Sequence, residues 1–264
     1  MCFMNLSEKK LNQNLSKLKE QYGVYAIKTE FGSEGTSPEE AFSLKNIAEN
    51  SSVALTLKIA GCEAVRDLRD AYKIGADNIV VPMIESDYAL KKFVNSVDMV
   101  FDESERRGKR FGVNIETQLG YENIGKIIQS SDFSQISSVT LGRDDFTASL
   151  GLCKDDADSD IVLKIANDIS KKVNASGRNF CIGGCVSPKS VDFFRNIEGL
   201  KYFETRKVVF DAQKALAVKD IKNGIVLAFE FEILWLENRR SVYGKVFPGD
   251  EKRILRLESM INEL

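Results

Sequence analysis

Two acidic residues occupy positions where the local sequence gives them no structural task. Glu116 ends the apolar segment VNI, and the TQLG that follows does not need a carboxylate cap; Asp145 lies in LGRDDF, directly after another apolar segment. Carboxylates that meet in one site repel each other unless a cation neutralises them. Mg²⁺ or Mn²⁺ prefers such oxygen ligands. The alternative is that both acids form ion pairs with Lys28, Lys58 or Arg143.

The chain contains no histidine. This absence excludes Ser-His-Asp and Cys-His nucleophiles, histidine general bases and imidazole metal sites. Acid–base chemistry must then come from carboxylates, lysines, tyrosines or a metal-bound water. The odd cysteine count, without zinc-type spacing, predicts reduced and partly buried thiols, and the closely spaced Cys181 and Cys185 are expected to pack rather than to form a redox pair. The cysteines are Cys2, Cys62, Cys153, Cys181 and Cys185.

Apolar, strand-like segments alternate with amphipathic, helix-like segments after an N-terminal amphipathic helix. Ser37-Pro38 and Ser187-Pro188 are helix start signals, and Gly75 is a helix stop signal. Strands that are apolar on both faces and separated by helices indicate a parallel sheet. Seven strands are predicted, in GVYAIKTEF, SVALTLKI, DNIVVPMI, RFGVNIET, ISSVTLG, NFCIGG and KYFETRKVVF.

Two architectures compete for this pattern, a closed barrel and an open doubly wound sheet. An open dinucleotide-binding sheet would carry G-x-G-x-x-G after its first strand, but here that strand is followed by the acidic KTEFGSEG. The length of 264 residues is close to the about 250 of a single α/β barrel. We therefore predict an α/β fold, a (β/α)8 TIM barrel forming one domain over 1–264, with its core at about 22–215 and an irregular eighth strand.

A long helical tail is predicted for 211–264. It contains the apolar IVLAFEFEILWLENRR, with the only tryptophan, and the amphipathic RILRLESMINEL, separated by a turn signal at Pro248-Gly249. A tail this apolar must pack on the barrel or on a partner subunit, and the sequence leaves both open. We expect a homo-oligomer.

Bulk charge gives no sign of a polyanionic partner. The chain has 37 Lys and Arg against 39 Asp and Glu, a net charge of −2, which predicts binding to neither nucleic acid nor membrane surface. No apolar stretch reaches the about 18 residues of a membrane span, and the N-terminus lacks a signal-peptide core. We therefore expect a cytoplasmic protein.

Three segments in order, VPMIES, GVNIETQLGYENI and LGRDDFTASLG, resemble the HpcH/HpaI aldolase and citrate lyase β-subunit-like family of the phosphoenolpyruvate/pyruvate barrel superfamily. The resemblance covers about residues 24–210. It implies that Glu116 and Asp145 are metal ligands. It also implies a Mg²⁺-dependent carbon–carbon lyase of the aldolase type, in which the metal chelates a pyruvate-like moiety and stabilises its enolate.

The sequence departs from that family at three points. The family usually has an arginine where TLKIAG places Lys58, and lysine keeps the charge but loses the bidentate fork. The aldolase branch uses a histidine base, which this chain lacks. The acyl-CoA lyase branch has D-L-E-D where this chain has I-K-T-E, so only Glu30 of that acidic group is retained.

Further candidate residues lie at the predicted strand ends, where α/β barrels hold their sites. Lys58, with Arg143 or Arg206, would neutralise a carboxylate or phosphate of an anionic 2-oxo acid, phosphorylated or CoA-linked. Gly183 and Gly184 form either a phosphate-binding turn or a simple tight turn. Lys207 is an alternative to Arg206 as the inward basic residue, and either could instead pair with Glu204. The predicted catalytic residues are Lys58, Glu30 and Asp144, and the predicted substrate-binding residues are Lys28, Lys58, Glu85, Arg143, Gly183, Gly184 and Arg206.

Several alternatives stay open from the sequence. The base is Glu30, Glu34, Asp144 or a metal-bound water. Lys28 or Lys58 could instead form a Schiff base with a carbonyl substrate. The same scaffold also suits a citrate-lyase-like acyl-CoA lyase, a thioester hydrolase or a ligand-binding barrel without catalysis.

Overall fold

Eight strands close into one barrel in the computed structural model, which describes residues 6–244 and 247–263. The closed barrel confirms the predicted α/β barrel class and excludes the open sheet. Its strands are β1 (Val24–Glu30), β2 (Ala54–Lys58), β3 (Asn78–Val81), β4 (Arg110–Ile115), β5 (Ser138–Gly142), β6 (Asn179–Gly183), β7 (Leu200–Glu204) and β8 (Val208–Asp211).

Helices surround the barrel and begin largely where the sequence predicts. Ser37 caps the helix that starts at Pro38 through a capping box with Glu40, and Gly75 ends the next helix in the left-handed conformation. The α-helices are α1 (Leu6–Tyr22), α2 (Pro38–Asn50), α3 (Val65–Ile74), α4 (Asp87–Asp98), α5 (Gln118–Glu122), α6 (Ile124–Gln129), α7 (Arg143–Ser149), α8 (Asp160–Ala175), α9 (Val191–Arg195), α10 (Ala212–Ala215), α11 (Ile221–Tyr243) and α12 (Pro248–Asn262). Short 3-10 helices span Ser131–Gln135, Lys154–Asp158 and Pro188–Ser190.

The segment KYFETRKVVF forms two strands, so the prediction of a single strand there was wrong. Neighbouring strands from β1 to β7 pair in parallel, whereas β8 turns back and pairs antiparallel with both β7 and β1. The turn contains neither glycine nor proline. Instead, Thr205 Oγ1 accepts the Val208 N–H at 3.1 Å, and the Thr205 N–H donates to the Val208 carbonyl at 2.9 Å. The irregular eighth strand is therefore the second arm of a hairpin.

The C-terminal tail packs on the barrel domain of its own chain. Helix α11 lies against α1 and α12, and its residue Trp235 is buried. Gly224 of α11 allows close approach to Tyr22, because a Cβ there would lie 2.6 Å from the Tyr22 ring. Pro248 and Gly249 lie in the first turn of α12 and do not form a separate turn, because proline fits the first helical position. Contact with a partner subunit stays a prediction.

In the described part of the chain, every helix is too short or too polar to traverse a lipid bilayer.

Candidate active site

A cavity of about 340 Å³ opens at the carboxyl ends of the barrel strands. Strand ends form its floor and walls, and α12 contributes to its upper wall. Most residues that the sequence nominates lie on this cavity, as parallel strands direct their carboxyl ends to one side of a barrel. These residues are Lys28, Glu30, Lys58, Glu116, Asp144, Asp145, Gly183, Gly184 and Arg206.

Glu116 is held rigidly on the cavity floor. Its side chain is only 5 % exposed. Oε1 accepts from Asn114 Nδ2 at 3.0 Å and from Lys58 Nζ at 3.4 Å, and Oε2 accepts from the Met83 N–H at 3.0 Å. Met83 has a φ of +54°, an uncommon conformation for a side chain other than glycine, and this turn directs its N–H at the carboxylate. Donors that belong to three neighbouring strand ends therefore fix Glu116.

Gly142 makes room for the Glu116 side chain. A Cβ at Gly142 would lie 2.7 Å from Glu116 Cγ and 2.8 Å from its Oε1, although the Gly142 backbone (φ −90°, ψ 96°) suits any residue. The contact is therefore purely steric.

We expect Gly142→Ala to fold but to lose activity, because the added methyl group must displace the Glu116 carboxylate. The expected loss in kcat/KM is about 100-fold, the scale of a misplaced catalytic group, and overpacking should cost about 1–3 kcal/mol of unfolding free energy. Gly61→Ala is the matched control, since a Cβ there meets nothing within 4 Å. Equal activity of the two variants would show that the position of Glu116 does not matter.

Of the two predicted metal ligands, Glu116 and Asp145, Asp145 is the one without a bonding partner among the described residues. It lies in the first turn of α7, is solvent-exposed, and makes no hydrogen bond or ion pair to any residue within 6–244 or 247–263. Although the residue as a whole is exposed, partial burial of its carboxyl group raises the pKa of Asp145, and the charges of Glu116 and Asp144 raise it further. By contrast, Asp144 pairs with Lys154 at 2.6 Å. Glu116 and Asp145 thus share one space and repel each other electrostatically.

The donor chemistry of this pair suits a hard divalent cation. No group of three or more candidate protein ligands occurs among the described residues, so the chain itself would offer two carboxylates, and water and substrate oxygens would have to complete the coordination. The ammonium group of Lys58, 3.4 Å from Glu116, partly neutralises the same charge. Metal ligation by Glu116 and Asp145 is compatible with the structure and stays a prediction.

Two lysines supply positive charge to the cavity floor. Lys28 forms an ion pair with Glu204. Burial acts to lower the pKa of Lys28 and is the largest single effect, but Glu204, followed by Glu30 and Glu116, outweighs it and raises the pKa. Lys58 lies between two carboxylates, with its Nζ 3.6 Å from Glu30 and 3.4 Å from Glu116. This arrangement holds Lys28 in the ammonium form.

Two nominated substrate-binding residues do not reach the cavity. Arg143 is 0 % exposed and pairs with Asp158, while its guanidinium lies over the Phe193 ring, 4.9 Å from the centroid. Glu85 accepts from Thr117 Oγ1 at 2.6 Å, outside the cavity wall. Both follow strand ends in the sequence, but their side chains turn towards neighbouring helices. We therefore remove Arg143 and Glu85 from the substrate-binding set.

Arg206 and Lys207 pair with Glu34 and not with Glu204. Both lie in the β7–β8 turn. Arg206 Nε lies 3.0 Å from Glu34 Oε1 at the cavity wall, and Lys207 forms a buried ion pair with Glu34. Burial acts to raise the pKa of Glu34, but Lys207 and then Arg206 outweigh it and lower the pKa. Because this lowered pKa makes Glu34 a weak base, and because both of its carboxylate oxygens are paired with cations, it is a poor candidate for the base.

The adjacent glycines Gly183 and Gly184 are explained by tight packing. A Cβ at Gly183 would lie 2.9 Å from Glu204 Cγ, and one at Gly184, which has a φ of +76°, would lie 2.6 Å from the Asp144 nitrogen. The turn therefore has a steric reason for both glycines. Phosphate binding by this turn is not needed to account for them.

Sequence reasoning missed the cavity residues that come from the last helix. Arg253, Arg256 and Met260 of α12 line the cavity, as do Lys154 and Phe229. No spacing relates α12 to the strand-end motifs, so only the folded chain reveals these neighbours.

The four described cysteines are free thiols, with Cys2 outside the described residues. Cys153 is exposed. Burial, with a smaller effect of Glu204, raises the pKa of Cys181 to about 12. In the native protein at pH 8 we expect iodoacetamide to modify Cys153 about 100-fold or more faster than Cys181, because the thiolate is the nucleophile. Peptide mass spectrometry measures both rates; equal rates would contradict the burial of Cys181, and unfolding in guanidinium should equalise them.

Comparisons with known proteins place this geometry in context. The family model described as HpcH/HpaI aldolase/citrate lyase matches residues 50–188. Curated protein sequences give no significant match. Among solved structures, the chain is similar to citrate synthase SbnG, with 18% identity, a TM-score of 0.56 and coverage of 72% of this chain and 89% of that one.

Two further solved structures are similar. One is an HpcH/HpaI aldolase from Desulfitobacterium hafniense DCB-2, with 13% identity, a TM-score of 0.59 and coverage of 76% and 84% of the two chains. The other is an HpcH/HpaI aldolase/citrate lyase family protein from Burkholderia cenocepacia J2315, with 12% identity, a TM-score of 0.59 and coverage of 81% and 98%. At these identities the likenesses show the fold.

Proposed function

Because the chain belongs to the HpcH/HpaI aldolase/citrate lyase family, we propose that it is a divalent-metal-dependent lyase of the aldolase type. It makes or breaks a carbon–carbon bond next to a pyruvate-like enolate in an anionic 2-oxo acid. Family membership supports the lyase class. The observation that supports the chemistry is the meeting of Glu116, Asp145 and Lys58 on one cavity.

The residues of the cavity floor would have different roles in binding a small 2-oxo acid. Glu116 and Asp145 would hold Mg²⁺, which supplies Lewis-acid stabilisation of negative charge on the keto oxygen when bound. Lys58 presents its ammonium group between Glu30 and Glu116 and attracts the substrate carboxylate. Asn114 and Met83 hold Glu116 in place before substrate arrives, so little reorganisation is needed during the reaction.

Without histidine, we assign proton transfer to a cavity carboxylate, with a metal-bound water as the alternative base. Glu30 is the leading candidate because it lines the cavity and its position is fixed. Its Oε1 accepts from the Ser33 N–H at 3.0 Å and from Ser33 Oγ at 2.8 Å, and its Oε2 faces Lys58 at 3.6 Å. Asp144 is the second candidate, tethered to Lys154. A comparison of Glu30→Gln with Asp144→Asn distinguishes the two candidates, because only the variant that removes the base should lose exchange activity.

Exchange of the pyruvate methyl protons with D₂O tests the proposal without knowledge of the aldehyde or acyl partner. Proton NMR of pyruvate with the protein and Mg²⁺ should show exchange that is faster than in the protein-free control and is abolished by EDTA. A rate equal to that of the protein-free control would contradict enolate chemistry at this site.

A lysine Schiff base is the alternative route, and the cavity charges argue against it. An imine needs a neutral amine, but the pKa of Lys28 is raised and Lys58 lies between two carboxylates. We expect borohydride reduction in the presence of pyruvate to leave no covalent adduct on either lysine, as checked by mass spectrometry. An adduct that forms equally well in EDTA would overturn the metal-dependent route.

A further inference from the structure

The loop of residues 31–36, between β1 and α2, holds the carboxylate of Glu30. Its Ser33 donates to Glu30 Oε1 twice, from the backbone N–H at 3.0 Å and from the hydroxyl at 2.8 Å. Ser33 and Glu34 are the two central residues of one turn, which a backbone hydrogen bond of 3.1 Å closes between the glycines on either side. Because the two residues share this turn, contacts that fix Glu34 also fix the donors of Ser33.

The Glu34 side chain is buried and bonded through both of its oxygens. It is 4 % exposed, whereas the neighbouring Ser33 is an exposed residue on the cavity. Oε1 accepts from Arg206 Nε at 3.0 Å, and Oε2 forms the ion pair with Lys207, whose side chain is 3 % exposed. The Thr29 hydroxyl of β1 lies 3.4 Å from the same Oε2. These contacts attach the loop to the β7–β8 turn and to β1.

The charges of Glu34 and Lys207 are not needed for stability alone. A buried ion pair adds little net stability, because two charges must leave water, and apolar side chains of similar volume often stabilise a fold as well. Hydrogen-bonded charges, however, have preferred distances and angles, which apolar contacts lack. Because Glu34 also lies on the cavity, this pair is suited to fixing the position of the loop at the site.

Glu30 depends on this loop for its position. Within residues 6–244 and 247–263, the hydrogen bonds to its carboxylate come from Ser33 alone, and Lys58 Nζ lies 3.6 Å from its Oε2. A displacement of the loop by about 1 Å would lengthen both Ser33 bonds beyond hydrogen-bonding range. A displacement of this size can lower the rate of a step that needs a positioned group by about 100-fold.

We propose that Glu34 is a positioning residue for the base: acting through Ser33, it holds the Glu30 carboxylate where the substrate methyl proton is removed. This role rests on the proposed function and on Glu30 as its base. Glu34 itself transfers no proton, because cations occupy both of its oxygens. Arg206 and Lys207 then contribute to the reaction by anchoring Glu34.

The rate of pyruvate proton exchange in Mg²⁺ buffer, measured by NMR over a range of pyruvate concentrations, tests this role. Glu34→Ala should lower kcat about tenfold or more and change KM less than about twofold, because the base moves while Lys58 still attracts the substrate carboxylate. Ser33→Ala should lower kcat about 3- to 10-fold, since one of two donors is lost. The double variant should lose no more than Glu34→Ala alone, because both residues act through the same bonds. Losses that multiply would show that Glu34 does not act through Ser33.

Asp77→Ala is the matched control for a buried lysine that loses its partner. Asp77 pairs with the buried Lys45 at 2.8 Å, directly before β3 and thus at the opposite end of the barrel. This change should lower the temperature of thermal unfolding, as should Glu34→Ala, but leave kcat within about twofold of wild type. If the two variants lowered kcat equally, or if Glu34→Ala lowered only the unfolding temperature, Glu34 would be structural alone and the proposal would be overturned.

Hydrogen exchange of the backbone amides, followed by mass spectrometry of peptides that span 31–36, gives a readout that does not depend on activity. In the wild-type protein these amides should exchange slowly. The double variant Glu34→Ala/Lys207→Met also removes the cation that Glu34→Ala leaves unpaired, so it is the variant to use if the single change prevents folding. It should exchange at least about tenfold faster in this loop and at the wild-type rate in the other strands.

The outcomes separate this role from the proposed function. An unprotected loop in the wild-type protein, or exchange no faster in the double variant, overturns the role of Glu34 and leaves the proposed lyase intact. Undiminished pyruvate proton exchange in Glu30→Gln overturns it in the same way. If the unaltered protein does not exchange pyruvate protons at all, the proposed function fails, and the role of Glu34 falls with it.

Discussion

Glu116→Gln is expected to lower the rate of Mg²⁺-dependent pyruvate proton exchange by about 100-fold or more, a loss typical of removing a key electrostatic group. The carboxylate accepts from Asn114, Lys58 and Met83. Glutamine has the same shape but no charge, and its amide nitrogen would face one of these donors. The substitution therefore removes a negative oxygen ligand and also disturbs the hydrogen bonds that fix the floor of the cavity.

The control for this substitution is Glu63→Gln. Glu63 follows β2 at the same end of the barrel, but its carboxylate is exposed and pairs with Lys92, away from the cavity. NMR exchange rates of the two variants at saturating Mg²⁺ should differ by the full expected factor, with thermal unfolding confirming that both are folded. Wild-type exchange in a folded Glu116→Gln protein would remove this residue from the mechanism.

Lys58→Met is expected to be comparably damaging, with kcat/KM for pyruvate exchange lower by about 30- to 5,000-fold. Removing the buried cation leaves Glu30 and Glu116 without the charge that lies 3.6 and 3.4 Å from them. The loss of one partner from such a group typically costs about 2–5 kcal/mol. Lys58→Arg should retain most of the activity, because it keeps the charge and adds a bidentate donor.

The matched control is Lys92→Met, which removes a partly exposed lysine paired with Glu63. Steady-state exchange kinetics should place it within about twofold of wild type, as surface ion pairs contribute little. If Lys58→Met were as active as Lys92→Met, the substrate carboxylate would have to be bound elsewhere. If Lys58→Arg were as inactive as Lys58→Met, charge alone would not explain the role of this residue.

The parts of the fold that local signals control are the parts that the sequence predicts well. Ser37 and Pro38 start α2, and Gly75 ends α3, because caps and stops act within a few residues. Glu116 and Asp145 could also be expected to meet, since both follow strands of a parallel barrel and such strand ends lie on one side. Periodicity and strand direction are enough for these conclusions.

The remaining features depend on three-dimensional contacts. The β7–β8 turn is stabilised by the Thr205 hydroxyl and contains no glycine or proline. The sequence pattern of this segment therefore predicts one continuous strand. Arg143 follows β5, but it is the first residue of α7 and turns away to Asp158. Arg256 reaches the cavity only because α12 crosses the mouth of the barrel. No local pattern in the sequence specifies the direction in which these side chains point.

Titration with Mn²⁺, followed by the loss of its free electron paramagnetic resonance signal, tests most directly whether Glu116 and Asp145 share a divalent cation. The wild-type protein should bind one Mn²⁺, and Mg²⁺ should displace it. Glu116→Gln and Asp145→Asn should each weaken binding by about tenfold or more, while Glu63→Gln should leave it unchanged. Unchanged Mn²⁺ binding in both cavity variants, or no binding by the wild-type protein in the presence of pyruvate, would contradict the proposed metal site and the chemistry assigned to it.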